Sequence, residues 1–263
     1  MNITNIILAV TVLGSLGLIF GLALSFASEF FSVKEDERIE KITKILPGAN
    51  CGGCGFAGCE GFARAVVEGS ANPAGCSAGG EEVAKEISEI IGRDANFVKQ
   101  VARIKCSGSC ERSPMRFEFE GLHDCRSAMR LGGGPKSCQY GCIGIGTCAT
   151  VCPSNAISVD NGLAEIDENL CIGCGKCVSI CPKDLIELVP ADSKFFVACN
   201  SKDKGADMKN ICSGGCIGCK ICQKNCPSDA IEVENNLARI ITFKCEDCGV
   251  CYEKCPKKII HKF

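Results

Sequence analysis

The chain has 263 residues, of which 25 are cysteine, 30 glycine and 13 phenylalanine, with two tyrosines and no tryptophan. That is thin material for one large aromatic core, so small modules held by metal–thiolate bonds are expected instead. A net charge of -2 without any long basic run argues against a nucleic-acid role.

Residues Ile6 to Ala27 form an uncharged apolar stretch of 22, long enough as a helix to cross a hydrocarbon core of about 30 Å. The expectation is a single N-terminal transmembrane helix, within an anchor over residues 1–28. A cleaved signal peptide is the alternative, because Ser25-Phe26-Ala27 has a small-x-small pattern. Against it, no Lys or Arg precedes the stretch, and the run exceeds the usual signal h-region. Lys34, Arg38, Lys41 and Lys44 follow in a charged juxtamembrane linker, 29–46, so the positive-inside rule places the remainder on the cytoplasmic side of the plasma membrane. A reducing compartment suits oxygen-sensitive thiolate ligands.

A four-cysteine module is expected over 47–100, with Cys51, Cys54, Cys59 and Cys76 spaced C-x2-C-x4-C-x16-C. Four thiols suit one cubane, and the Gly-rich loop allows positive φ close to the metal. Zinc is an alternative at this site taken alone. Glu60 to Glu68 reads as a short helix leading towards Cys76. Glu81 to Ile91, with Val83, Ile87, Ile90 and Ile91 on one side, reads as an amphipathic helix closing the module.

A connecting segment, 101–137, carries Cys106, Cys110 and Cys125, with His123 two residues before the last. From Cys125 onwards the chain repeats at an offset of 74 residues. Cys125, Cys138, Cys142, Cys148 and Cys152 correspond to Cys199, Cys212, Cys216, Cys222 and Cys226, and Cys171, Cys174, Cys177 and Cys181 to Cys245, Cys248, Cys251 and Cys255. The fold class expected is therefore α+β: the helix, the small four-cysteine module and two tandem bacterial-ferredoxin-like modules over 138–190 and 212–263, joined by a connector over 191–211. In the first, Ala156 to Val159 and Leu163 to Ile166 flank Asn161-Gly162 and read as a hairpin.

The ligand chemistry rests on three runs of C-x2-C-x2-C-x3-C-P, ending at Pro182, Pro227 and Pro256. A tight loop presents three sulfurs to one cluster, and the proline sends the fourth to its neighbour. Zinc sites come instead as separated C-x2-C knuckles, and disulfides fit neither this stacking nor an odd cysteine count. Crossed ligation assigns Cys216, Cys219, Cys222 and Cys255 to one cluster, and Cys245, Cys248, Cys251 and Cys226 to the next. It likewise groups Cys171, Cys174, Cys177 and Cys152. The remaining set is irregular, because Ile145 stands where the repeat has Cys219. Cys142, Cys148 and Cys181 are its clear ligands, Cys138 is the natural fourth, and a three-iron cluster without it is the alternative. Cys106, Cys110, Cys125, Cys199 and Cys212 remain for a sixth site, or as inert buried thiols. Five or six four-iron clusters are thus expected. His123 is an alternative ligand, although an ordinary loop histidine is the simpler reading.

No G-x-G-x-x-G unit follows a strand and no P-loop occurs, so nicotinamide and flavin chemistry is expected to lie outside this chain. The basic tail, Lys254, Lys257, Lys258, His261 and Lys262, suits an acidic protein or an anionic lipid, or is simply a solvated terminus.

Asn50-Cys51-Gly52-Gly53-Cys54-Gly55-Phe56-Ala57-Gly58-Cys59, behind an apolar N-terminal segment and ahead of ferredoxin repeats, resembles the B subunits of Rnf complexes. The segment from Gly133-Gly134-Pro135-Lys136 to Pro153 and the second repeat resemble the longer, polyferredoxin-type members. The resemblance implies an electron-transfer subunit of an ion-translocating ferredoxin:NAD oxidoreductase, fed by soluble ferredoxin and serving the other subunits of a membrane complex coupled to Na+ or H+ movement. The competing class is a membrane-tethered polyferredoxin serving a hydrogenase or a disulfide reductase without ion pumping.

Overall fold

A computed structural model describes residues 3–30 and 36–263, with side chains described for 11–26 and from 36 onwards. The apolar N-terminal stretch is helical, α1 (Ile3–Phe30), and its described side chains are exposed. Among the described residues no helix is long and apolar enough to cross a membrane, which overturns the expected single transmembrane helix and the one-helix anchor. The side chains of 6–10 and 27 lie outside the described residues, as do residues 31–35 of the segment read as a linker.

The rest of that segment forms α2 (Glu37–Ile45), capped by the Asp36 carboxylate accepting from the Arg38 N–H. Ile39 and Ile42 recur on one face, and with Leu46 they join a small core with Phe62, Val66 and Ile87. Those partners come from α3 (Gly58–Glu68) and α4 (Gly80–Ile91), the two helices expected from the sequence pattern. Both end on glycines in the left-handed region, Gly69 and Gly92, where a Cβ would be strained.

Beyond this module the chain is a succession of short elements. Strand β1 (Gln100–Ile104) is followed by α5 (Cys125–Met129) and α6 (Thr147–Thr150), then by β2 (Ile157–Asp160) and β3 (Leu163–Ile166), and by α7 (Lys176–Ile180) and β4 (Ile186–Pro190). The second half holds β5 (Phe195–Val197), α8 (Met208–Ile211), α9 (Ile221–Lys224), β6 (Ile231–Glu234), β7 (Leu237–Ile240), α10 (Val250–Lys254) and β8 (Ile260–Lys262).

Each ferredoxin-like half pairs its strands in two antiparallel ribbons. One is the local hairpin, β2 with β3 or β6 with β7. The first turn is Asn161-Gly162, both at positive φ, as a two-residue type I′ connection requires. The other ribbon closes from far along the chain, β1 on β4 (Gln100 opposite Pro190) and β5 on β8 (Phe195 opposite Lys262). The connecting segments therefore supply an outer strand to each half. Separate cores lie beneath, one around Ala102, Ile157, Ala164 and Leu185, the other around Phe195, Ile231, Leu237 and Ile260, and cysteines are built into both.

Buried polar groups tie the halves together. Arg103 on β1, only 2% exposed, donates to both Glu168 carboxylate oxygens at 2.6 and 3.1 Å and to the Ser193 carbonyl at 2.7 Å. Its guanidinium also lies 4.0 Å from the centre of the Phe263 ring. The Ser107 hydroxyl donates to the Ala198 carbonyl at 3.1 Å and lies 3.1 Å from His261 Nε2, while the Ser113 hydroxyl donates to the Ile211 carbonyl.

Candidate metal centres

All 25 cysteines are free thiols. Many of them ring cavities, and among the described residues no three His, Cys, Asp or Glu side chains converge as a single metal ion would require.

Cys51, Cys54, Cys59 and Cys76 line a cavity of about 400 Å³ together with Phe62 and, from the neighbouring module, Cys174. The Asn50 side chain folds over the loop and accepts from the Cys59 N–H at 2.8 Å. Gly53 is pressed against the backbone of Cys174: a Cβ there would lie 2.5 Å from its carbonyl oxygen. Close backbone approach is thus what seats this module on the first ferredoxin half.

Cys171, Cys174 and Cys177 form the next group, near enough for each other's charge to add to the burial that raises the Cys177 thiol to about 11. Cys152 packs on the same core. Burial raises it too, but the Ser154 hydroxyl and the N–H groups of Ala156, Ser154 and Ile157 outweigh that and lower its pKa.

The third ring differs from the expected set. Around Cys142, Cys148 and Cys181 the fourth thiol is Cys125, in a cavity of about 410 Å³. Cys148, pushed up to about 12 by burial, has Cys142, Cys125 and Cys181 as its neighbouring thiols. Cys125 is held there by its helix start: its N–H donates to the Thr147 hydroxyl on α6 at 2.8 Å, and that hydroxyl meets the Asp124 cap at 3.3 Å. His123 is exposed and outside the ring.

Cys138 instead faces Cys106, Cys199 and Cys212 across a cavity of about 330 Å³ between the two halves. In the second half, Cys216, Cys219, Cys222 and Cys255 ring a cavity of about 360 Å³, the set that crossed ligation requires. Cys245 and Cys248 neighbour Cys251, and Cys226 neighbours Cys245. Cys110 belongs to no ring. It sits at the first hairpin turn, its N–H donating to the Asn161 carbonyl.

The donor set fits iron–sulfur clusters. Backbone N–H groups point at sulfur: Ala102 at Cys171, Ala230 at Cys226, Gly108 and Cys142 at Cys106, and Cys216 at Cys199, all at 3.3 to 3.4 Å. Such donors favour thiolate and set cluster potentials. Burial raises Cys199 to about 12 and Cys138, Cys142, Cys222 and Cys251 to about 11. Iron binding therefore has to displace their protons. Lys136, buried at 2% exposure, and Lys183 bring positive charge to this region. Motif spacing singles out neither, because their role depends on the fold.

Three family models match in series: an Fe-S cluster model (FeS) at residues 46–78, the LdpA Fe-S cluster-binding domain at 134–191 and a 4Fe-4S dicluster domain at 208–256. Over 242 residues the chain is 46% identical to the B subunit of the Na+-translocating ferredoxin:NAD+ oxidoreductase complex of Acetobacterium woodii, covering 91% of this chain and 73% of that one. The chain belongs to the B-subunit family of ion-translocating oxidoreductase (Rnf) complexes. The B subunit of the proton-translocating ferredoxin:NAD+ oxidoreductase complex of Clostridium ljungdahlii is likewise 46% identical, over 89% of this chain and 84% of its own. The B subunit of the ion-translocating oxidoreductase complex of Methanosarcina acetivorans is 39% identical over 90% of each. This chain is thus an iron–sulfur electron-transfer subunit of an Rnf complex, with the other subunits as its partners. Cys106, Cys110, Cys125 and Cys199 lie outside all three matched ranges.

Proposed function

We propose that this subunit accepts electrons from reduced soluble ferredoxin and delivers them to the subunits that reduce NAD, in a complex coupled to Na+ or H+ translocation. One observation carries the reading: rings of cysteine recur along the chain, from the Cys51 loop to the C-terminal half. Bound in those rings, four-iron clusters supply one-electron carriers. Cys51, Cys54, Cys59 and Cys76 would hold the first, Cys152, Cys171, Cys174 and Cys177 the second, and Cys125, Cys142, Cys148 and Cys181 the third. Cys216, Cys219, Cys222 and Cys255 would hold a fourth, and Cys226, Cys245, Cys248 and Cys251 a fifth.

The chain's own work is to ligate, to exclude water and to aim N–H donors at sulfur. Exposure is uneven in a way that suits an input end: among the described residues the exposed thiols are Cys219 and Cys248, both in the C-terminal half, whereas the Cys51 loop covers Cys174. Free thiols throughout suit a reducing, cytoplasmic face.

The test is NAD reduction by purified complex supplied with reduced ferredoxin. Complex carrying the subunit with Cys51→Ala and Cys54→Ala is expected to lose about four iron atoms per chain and nearly all ferredoxin-driven NAD reduction. Full NAD reduction with that iron gone would refute the proposed route.

A further inference from the structure

We propose that the joint between the two tandem halves is itself a four-iron cluster site, held by Cys106, Cys138, Cys199 and Cys212, and that it makes the cysteine rings one unbroken series. The proposal rests on the iron–sulfur reading above.

The four thiols come from four stretches of chain and meet in one cavity. They are 7, 7, 9 and 5% exposed, so none serves the surface. Two glycines, Gly108 and Gly141, line the cavity beside the sulfurs. A Cβ on Gly108 would lie 3.4 Å from Cys106 Sγ and 3.6 Å from Cys212 Sγ, and one on Gly141 would lie 3.4 Å from Cys138 Sγ and 3.6 Å from Cys106 Sγ. A Cβ at either position would sit in van der Waals contact with two of the four sulfurs. The sulfurs are also hydrogen-bonded as thiolates are: Cys106 accepts from the N–H groups of Gly108 and Cys142, and Cys199 from that of Cys216.

A buried cation points the same way. Lys136 lines the cavity and is 2% exposed, and its ammonium donates to two carbonyls, Gly108 at 2.7 Å and Gly162 at 2.5 Å. Among the described residues no carboxylate pairs with it. A buried charge held by carbonyls alone lacks a counter-charge, and four thiolates around a cluster supply one.

The internal repeat explains why this site escapes motif spacing. Cys199 and Cys212 correspond to Cys125 and Cys138. In the second half both turn to the joint. In the first, Cys125 lies with Cys142, Cys148 and Cys181, so only Cys138 reaches the joint and Cys106 makes up the number. The joint ring touches both neighbours, since Cys142 of the third ring donates its N–H to Cys106, and Cys216 of the next donates to Cys199.

The experiment is iron and acid-labile sulfide per chain on the anaerobically purified full-length protein, with electron paramagnetic resonance of its reduced form. Wild type is expected to hold about 24 iron atoms, and Cys199→Ser with Cys212→Ser about 20, with the other cluster signals retained. Cys110→Ser, outside every ring, should keep the wild-type value. About 20 iron atoms in the wild type, or an unchanged count in the double variant, overturns the joint site alone. Zinc in place of iron would instead overturn the reading on which it rests.

Discussion

Cys125 and Cys138 exchange the places that spacing suggests, and the reason is local. Cys138 precedes Cys142 by four residues, which makes it look like an added turn of the same cluster loop. Yet its N–H is drawn to the buried Ser113 hydroxyl at 3.1 Å, and its sulfur faces Cys106 and Cys212. Cys125 reaches Cys148 through Thr147 and Asp124, contacts separated by more than twenty residues in sequence. The absent cysteine at Ile145 was legible as a defect; the thiol that lies nearest the other three was not, because only the folded chain brings Cys125 beside them. Cys125→Ala should therefore convert the third cluster to a three-iron form or abolish it, while Cys138→Ala should spare that cluster and remove iron from the joint. A background that already lacks the joint cluster, Cys199→Ser with Cys212→Ser, separates the two: there Cys138→Ala should leave the remaining iron and paramagnetic signals unchanged and Cys125→Ala should lower them, and the opposite result would reverse the assignment.

At the level of elements, local patterns were readable and distant pairings were not. Asn161-Gly162 between apolar runs announces its hairpin, and the apolar faces of α3 and α4 announce their packing. Nothing in Gln100–Ile104 announces a partner at Ile186–Pro190, nor in Phe195–Val197 one at Ile260–Lys262. Strands this short are stabilised by what they cover, and β1 is placed by Arg103 as much as by its ladder. That side chain joins Glu168 of the first half, Ser193 of the connector and Phe263 at the C-terminus. Losing one partner of a fully buried ion pair costs about 3–5 kcal/mol, and because the Glu168 side chain is 24% exposed a cost of about 2–3 kcal/mol is expected for Arg103→Met. Limited proteolysis should then cut near residues 191–194 well before it cuts the wild type. Equal cutting rates would mean that the β5–β8 ribbon and the joint hold the halves without this residue.

For the whole molecule, cysteines occupy positions that another protein would fill with leucine. The core of the second half has eleven buried residues, and four of them are Cys199, Cys216, Cys222 and Cys251. The core of the first half includes Cys106, Cys142, Cys148 and Cys177 in the same way. Thiols held on opposite sides of a cavity bury little surface against each other, so the metal bridges between them must supply cohesion that side-chain packing does not. The four-cysteine module differs, because α2, α3 and α4 meet through Ile42, Phe62, Val66 and Ile87 without needing sulfur in the centre. Anaerobic removal of iron with a strong chelator should accordingly unfold the chain unevenly. Residues from about 100 onwards are expected to lose amide-exchange protection and become protease-sensitive, while 37–91 keep partial protection, and added iron and sulfide should restore both. Hydrogen exchange read by mass spectrometry resolves the two regions. If the ferredoxin-like halves kept their protection without iron, the apolar contacts of Ile157, Ala164, Leu185, Ile231, Leu237 and Ile260 would have to be sufficient, and the clusters would be passengers in a fold that stands without them.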